Sequence, residues 1–441
     1  MDYDVLIIGG GPGGAAAARH LAKNGRKVGL ISDELGGECL NYGCIPTKTY
    51  LWTAELLEKL RENGSLFGIE AGSPQLNWQQ LKERRADVVR KLSKQLAFVV
   101  ERSGATIIQG RARFKDAQTL TITPLNSEEN NYELTAEKFI IATGSLPTQL
   151  PGFDWSEKIL SNHEILDLPL LPKNLLVIGG GAIGVEFASV FSAFGVEVSV
   201  AEASDRLLPL ADAEVAQELE RVFAKKKITV LKDIRISPEQ AAVYDKVLIA
   251  VGRTPATGAL GLEAAGLTVE HKGIPTNAVM QTSLPHIYAI GDVAGKALLA
   301  YTAEREGTIA AQHILGKNPA PLRYETVPTT IFSLPEVAFV GATEEQVKDT
   351  GRAYRVGKSM NIGNAKALIM AGREGFAKVL IDSESNQLLG IHMIGEKASE
   401  LIAEASLALT NDMSLESFTL NLHSHPILGE ILKEACEELA L

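Results

Sequence analysis

The chain repeats itself. Gly9-Gly-Gly-Pro-Gly-Gly14 and Gly179-Gly-Gly-Ala-Ile-Gly184 carry the same G-x-G-x-x-G pattern 170 residues apart. Each copy follows an apolar run, Val5 to Ile8 and Leu175 to Ile178. Each opens an Ala-rich or apolar helical stretch that ends at Gly25 or Gly195, sixteen residues after its first glycine. A β-rich run comes next, Lys27 to Ile31 and Val196 to Val200. One copy alone would read equally well as a Gly-rich turn. Two copies, each between a strand and a helix, predict two dinucleotide-binding βαβ units.

The glycines Gly9, Gly11 and Gly14, and again Gly179, Gly181 and Gly184, allow the backbone to approach a pyrophosphate while helix N–H groups face its charge. Glu202 lies 23 residues after Gly179, at the end of the second strand, where a carboxylate can accept hydrogen bonds from both ribose hydroxyls and would repel a 2′-phosphate. The corresponding position in the first unit is Ser32, followed by Asp33. The repeats also end alike: Ile140-Ile-Ala-Thr-Gly-Ser-Leu-Pro147 and Leu248-Ile-Ala-Val-Gly-Arg-Thr-Pro255 both read as a buried strand entering a Gly/Pro turn. The first and closing glycines lie 135 positions apart in one unit (Gly9 to Gly144) and 73 in the other (Gly179 to Gly252); helical stretches at Tyr50 to Leu60 and Trp78 to Glu101 fill part of the difference. Farther on, Ile287-Tyr-Ala-Ile-Gly-Asp292 reads as a strand ending in a carboxylate suited to cap the region of the following helix, Ala300 to Leu315. From Pro321 the texture changes to strands at Phe376 to Ile381 and Leu388 to Ile394, then helices at Ala398 to Leu409 and Ile427 to Leu439. The expected fold is α/β, with two Rossmann-like dinucleotide-binding domains and a C-terminal α+β domain, divided at 1–150, 151–252, 253–320 and 321–441.

A length of 441 residues fits about three domains. The 43 basic residues against 54 acidic ones leave a net charge of −11, with no overall basic field for nucleic acid. The N-terminus enters its first apolar run without the basic region or cleavage site of a signal peptide. Leu175 to Val196 is long enough to span a bilayer, but Glu186 and three consecutive glycines argue against it. Only Cys39, Cys44 and Cys436 occur, which favours a reducing, cytoplasmic setting.

Cys39 and Cys44 follow the first βαβ unit, near the edge where doubly wound sheets bind ligands. Five residues of regular helix would separate their α-carbons by about 7.5 Å in rise, beyond the roughly 7 Å a disulfide bridges. Gly43 and Pro46 permit a distorted helix. The alternative is a pair of buried or metal-binding thiols, although no companion C-x-x-C or nearby His completes a zinc site. Near the C-terminus, His423 and His425 precede a proline and Glu430 follows. From the residues alone they are either loop residues ahead of a Pro-started helix or an acid-base with its orienting carboxylate.

The run Gly36 to Lys48 resembles the redox-active disulfide motif of the flavoprotein (pyridine nucleotide) disulfide oxidoreductases, most closely the dihydrolipoamide dehydrogenases. The likeness extends through Ile141-Ala-Thr-Gly144, Val251-Gly-Arg-Thr-Pro255, Ala289-Ile-Gly-Asp292, Val327 to Glu336 and His423-Ser-His-Pro-Ile-Leu-Gly-Glu430. It implies FAD in the first unit and NAD in the second. FAD contacts would come from Gly9, Gly11, Gly14, Ser32, Asp33, Lys48, Ala112, Thr143, Gly144, Asp292 and Ala300, with Asp292 on the ribityl chain. NAD contacts would come from Gly179, Gly181, Gly184, Glu186, Glu202 and Gly252, and Lys48 would pair with Glu186. The resemblance further implies that Cys39 is the interchange thiol, Cys44 the flavin-facing thiol, His425 the acid-base and Glu430 its orienter. The C-terminal part would dimerise the chain and complete each site across a homodimer, with a lipoyl domain as partner. Mercuric reductases are similar but carry Tyr in place of the base and a C-terminal cysteine pair; glutathione-type reductases carry basic residues where Glu202 stands, and here only Arg206 lies near. Related disulfide reductases, a diaphorase or transhydrogenase, and a non-catalytic redox sensor remain as rivals.

Three positions depart from the family pattern. Glu38 replaces the usual Thr before the first cysteine and should raise the pKa of a neighbouring thiol; Tyr42 stands between the cysteines where a smaller aliphatic is common. Ile228 to Asp245 is too short for the usual β-meander of the nicotinamide domain.

Overall fold

Strand Tyr3–Ile8 buries its last four residues and turns through the first glycine motif into helix Pro12–Lys23, which returns to strand Val28–Ser32. This is the right-handed βαβ geometry that brings a helix N-terminus to a strand's C-terminal end. The computed structural model describes residues 1–70, 72, 74–126 and 128–440, and its chain divides into two compact units.

The first unit comprises Met1–Pro46, Leu81–Thr148 and Arg253–Leu322. Its parallel sheet runs, from one edge, Thr106–Asp116, Val28–Ser32, Tyr3–Ile8, Tyr132–Ile141, Ile287–Ala289. Strand Thr119–Pro124 joins the long strands Thr106–Asp116 and Tyr132–Ile141 as an antiparallel meander. Alternate side chains enter different cores, because successive residues of a strand face opposite ways. Leu6, Ile8, Phe139 and Ile141 pack with Phe114 and Val293, whereas Val5, Ile7 and Ile140 pack with Leu21 and Ile309 of helices Pro12–Lys23 and Ala300–Ile314. Burial on both faces explains the nearly continuous apolar strands.

The second unit comprises Thr47–Gln80, Gln149–Gly252 and Arg323–Leu441. Its parallel sheet has the order Thr229–Leu231, Glu197–Ala201, Asn174–Ile178, Lys246–Ile249, Ile159–Leu160. The apolar run from 175 to 196 is a strand, a glycine turn and helix Ala182–Ala193, and no helix among the described residues is long and apolar enough to cross a membrane. Where the β-meander is missing, a four-residue helix, Pro238–Ala241, leads back to the sheet, capped reciprocally by Ser237 and Gln240. The C-terminal part is an antiparallel sheet ordered Thr329–Ile331, Glu336–Gly341, Leu388–Gly395, Phe376–Asp382, Tyr354–Met360. Helices Ala398–Thr410 and Glu430–Ala440 contribute Ile402, Ala405, Leu432 and Cys436 to its core. Burial pushes the Cys436 thiol up to about 12, so this is an inert core residue.

Two sequence expectations are corrected. Asp292 does not cap the next helix, whose N-cap is Leu299, seven positions after the carboxylate and without a side-chain bond. The last helix begins at Glu430, because residues 427–429 are spent in turns closed by the Glu430 carboxylate and by Leu428 and Gly429 carbonyls.

A buried ion cluster holds pieces of the second unit together. Lys378, 1% exposed, donates to Asp212 at 2.9 Å, Glu214 at 2.7 Å and Glu344 at 2.6 Å, while Asp212 also accepts from the Glu214 and Glu344 amides. Burial works against a charged Glu344, but hydrogen bonds from Lys348, Lys378 and Tyr354 together hold its pKa at about 2. Removing one partner of such a cluster leaves buried charge uncompensated. Lys378→Met should therefore cost about 3–5 kcal/mol at neutral pH, measured by denaturant unfolding. Because Glu344 is held below its ordinary 4.5, its contribution is present above that pH and is lost as the pH falls through about 2, so the gap between variant and wild type should narrow over that window.

Candidate active site

The two glycine turns use their three glycines differently. Gly9 and Gly179 both sit at φ +110°, where a Cβ would lie 2.2 Å from the Ala142 carbonyl oxygen or 2.4 Å from that of Ala250. A Cβ on Gly14 or Gly184 would meet the carbonyl oxygen of Gly9 or Gly179 at 2.0 or 1.9 Å. These four glycines are demanded by the fold. The middle ones are not: a Cβ on Gly11 would touch only the Gly37 α-carbon at 4.0 Å, and one on Gly181 would touch nothing within that range. Gly11 and Gly181 are also the helix N-caps, and neither helix has a side-chain cap. Open space above uncapped amides fits a close-lying phosphate.

At the end of each second strand one side chain grips the turn. The Gly180 amide donates to Glu202 Oε2 at 2.6 Å, and the Ser204 amide donates to Oε1 at 2.8 Å. In the first unit the Gly10 amide donates to Ser32 Oγ at 3.2 Å, so Ser32 occupies the place of Glu202. Asp33 is exposed and pairs with Arg111 at 3.2 Å. Ala112 lies in the hydrophobic core of that unit, and Ala300 is the first residue of its helix.

The closing turns of the two repeats pair with each other. Ser145–Pro147 and Arg253–Pro255 form a short antiparallel ribbon within the first unit. Thr143 Oγ1 donates to the Ala256 carbonyl at 2.9 Å, and the Ala256 amide bonds the Gly144 carbonyl at 3.0 Å. Gly252, at φ +116°, ends the preceding segment. From this ribbon Ser145 Oγ donates to Asp292 at 2.5 Å. Arg253 donates through Nε to Ser145 Oγ at 2.7 Å and through Nη2 to its carbonyl at 2.8 Å. Burial raises the Asp292 pKa, against the Ser145 bond and the Arg253 charge, which favour the carboxylate. Sequence reasoning did not single out Ser145 and Arg253 individually, although both stand in the closing turns it identified.

The cysteines flank a break in the helix. Helix Gly37–Asn41 ends at Tyr42, and helix Cys44–Asn63 begins after Gly43. A Cβ on Gly43 would lie 3.1 Å from the Glu38 carbonyl oxygen and 3.5 Å from the Cys39 α-carbon, so a larger residue would press on the segment that carries Cys39. Both thiols are half-buried. Glu38, beside Cys39, pairs with Arg253 at 2.9 Å, and this countercharge opposes the effect expected from a carboxylate next to a thiol. Tyr42 donates to Glu34 at 2.8 Å; that bond, helped by burial, raises its pKa to about 12.

Within the second unit Lys48 donates to both Glu186 oxygens, at 2.8 and 2.7 Å. The Phe332 amide donates to the same carboxylate at 2.9 Å, and the Lys48 ammonium stands 4.6 Å from the Phe332 ring centre. The two histidines differ sharply. His423 is 4% exposed, with Nε2 3.1 Å from Glu404. His425 is 71% exposed, and its Nδ1 meets Glu430 at 2.9 Å. The Ile427 amide donates to the other Glu430 oxygen at 3.0 Å. The bond from His425, then that amide, holds Glu430 below its ordinary pKa, so a carboxylate fixes Nδ1 and leaves Nε2 for an incoming group. Among the described residues no cluster of His, Cys, Asp or Glu could hold a metal ion.

The glycine geometry predicts an asymmetry. Gly184→Ala should destabilise the protein, because its Cβ falls on a carbonyl oxygen, whereas Gly181→Ala should leave the melting temperature nearly unchanged. Thermal unfolding of the two variants measures it.

Residues 3–307 match the pyridine nucleotide-disulphide oxidoreductase family, and residues 327–436 match that family's dimerisation domain. The chain is 36% identical to a dihydrolipoyl dehydrogenase of Bacillus subtilis strain 168, covering 98% of this chain and 97% of the relative. It is 39% identical to that of Thermus scotoductus, with 99% and 97% covered. Among solved structures it is similar to LpdA from Mycobacterium tuberculosis, with a TM-score of 0.91, 28% identity and 99% of each chain covered. It is also similar to a Cu(II) complex of the HOCl-induced flavoprotein disulfide reductase RclA from Escherichia coli, with a TM-score of 0.89, 26% identity and 100% of each chain covered. A match across both parts of the chain, with relatives this similar over nearly their whole length, shows that the chain belongs to the pyridine nucleotide-disulphide oxidoreductases and is an oxidoreductase of the flavoprotein disulfide type.

Proposed function

We propose that the protein is a homodimeric dihydrolipoyl dehydrogenase that uses FAD and NAD, with the lipoyl domain of a 2-oxo acid dehydrogenase or glycine cleavage system as its partner. Residues 1–150 and 253–320 hold FAD, 151–252 hold NAD, and 321–441 form the dimer contact. Unit breaks after Thr148, Gly252 and Leu322 fall near three of these boundaries, whereas Thr47–Gln80 and Arg323–Leu441 group with residues 149–252. The open middle glycines and uncapped helix ends fit the two pyrophosphates. Ser32 and Glu202 hold corresponding ribose positions, and Asp292, fixed by Ser145, serves the flavin side chain. When bound, the flavin supplies two-electron transfer between a thiol pair and nicotinamide.

The chain's own part is thiol and proton chemistry. An incoming dithiol loses a proton to His425 Nε2, and its thiolate attacks the sulfur of Cys39 in the Cys39–Cys44 disulfide, releasing Cys44 as thiolate. The second substrate thiol then displaces Cys39 from the mixed disulfide, so the substrate leaves as a disulfide and both cysteines are reduced. The observation that carries this reading is the His425–Glu430 pair, which presents an exposed imidazole in one tautomer. The relatives named dihydrolipoyl dehydrogenase support the same substrate. Glu38 and Tyr42, together with the likeness to the disulfide reductase RclA, favour as a second reading the reduction of another disulfide.

Turnover separates the readings: dihydrolipoamide with NAD should be the best pair, and glutathione disulfide with NADH or NADPH poor. Preference for glutathione disulfide would overturn the first reading. His425→Ala should lower dihydrolipoamide turnover by about 10² to 10⁴. Co-refolding of Cys44→Ser with His425→Ala chains should recover roughly a quarter of wild-type activity if the base comes from the partner subunit, since half the dimers are mixed and half their sites intact. No recovery from confirmed heterodimers would mean that His425 works within its own chain or is not the base.

A further inference from the structure

Arg206 stands four residues after Glu202 and is the cation that argues, in sequence, for a 2′-phosphate. Its surroundings are built, all within the second unit. The loop that carries it lies on the glycine turn: the Leu208 amide donates to the Gly180 carbonyl at 2.9 Å, and a Cβ on Gly180 would lie 2.5 Å from the Leu207 side chain and 3.2 Å from Glu202. Arg206 and Glu202 therefore approach the same turn from one loop. The guanidinium is turned onto Glu345, with Nη1 to Oε1 at 2.7 Å and Nη2 to Oε2 at 2.9 Å. Asp205 lies farther off, 3.9 Å from Nε.

Glu345 is itself held. It lies on helix Glu344–Asp349, capped reciprocally by Thr343 and Gln346. Its neighbour Glu344 is fixed by Lys378 at 2.6 Å and, through its amide, by Asp212 at 3.1 Å. The buried cluster thus sets where Glu345 stands. A partly exposed pair, 25% and 47%, adds little to stability, roughly 0–1 kcal/mol, even when two-pronged. Its geometry instead fixes where a guanidinium can go, because a planar fork matches either a carboxylate or a phosphate and serves one at a time.

We infer that Glu345 is a positioning residue for coenzyme choice: by engaging Arg206 it withholds that guanidinium from a 2′-phosphate at the ribose held by Glu202. Selection against the phosphorylated coenzyme then has two parts, repulsion from Glu202 and sequestration of Arg206. This inference rests on the NAD reading proposed above.

The test is calorimetric titration of the holoenzyme with 5′-ADP and with adenosine 2′,5′-bisphosphate, independent of turnover. Wild type should favour 5′-ADP. Glu345→Gln should strengthen binding of the 2′,5′-bisphosphate about tenfold, the scale of one hydrogen bond to a charged group, with 5′-ADP binding and the melting transition little changed. Arg206→Ala added to Glu345→Gln should cancel the gain. In a Glu202→Ser background, which copies Ser32, the gain should be larger, since the repelling carboxylate is gone. A wild type that favours 5′-ADP and a Glu345→Gln variant with the same ratio would overturn the role of Glu345 and leave the NAD reading standing. A wild type that binds the 2′,5′-bisphosphate equally well would overturn the NAD reading, and this inference with it.

Discussion

The contact on which both nucleotide-binding folds depend is the one between the first glycine's carbonyl and the bare α-carbon of the third. A side chain at Gly14 or Gly184 would lie 2.0 or 1.9 Å from that oxygen. Only this closeness brings the helix N-terminus over the strand end, where its amides can face an anion. The repetition at nearly equal spacing in two sheets is the mark of a steric requirement. Sheet order, helix placement and the positions of Ser32 and Glu202 follow from it, because each second strand must lie beside the first for its last side chain to reach the turn.

Local pattern carried much of this into the sequence. The glycine spacing located both turns, the run after Gly179 located Glu202, and Gly43 with Pro46 permitted a distorted helix between the cysteines. Strand Thr106–Asp116 was also within reach, since its buried residues alternate from Ile108 to Phe114. Asp292 went astray because a carboxylate before a helix is the ordinary cap signal, whereas Ser145, 147 positions away, claims it. Three of the ion pairs gave no local signal. Glu38 with Arg253, Arg206 with Glu345, and Asp212 with Lys378 are each formed by residues distant in sequence, and a charged residue by itself reads as a solvated surface group.

Charge is arranged differently in the two units. In the second, Lys378 and Asp212, both buried, meet the partly exposed Glu214 and Glu344, and the cluster joins a helix cap, a sheet and a short helix. In the first, Glu38, Arg253, Ser145 and Asp292 form a line from the residue beside Cys39 to the carboxylate at the strand end. Neighbouring charges in such a line depend on one another, so substituting Glu38 would change the field at Asp292 as well as at the thiol.

The ribbon between Ser145–Pro147 and Arg253–Pro255 has a consequence for the chain's evolution. Just beyond it, the Thr148 and Thr254 hydroxyls are 3.0 Å apart, so the polypeptide leaves the first unit and comes back to it at practically one place. Residues 149–252 are therefore a closed excursion, whose length can change without moving any strand of the first sheet. A lost meander, such as the short stretch between Thr229–Leu231 and Lys246–Ile249, is the kind of trimming this arrangement tolerates, because both ends of the excursion stay fastened while its interior is rewritten.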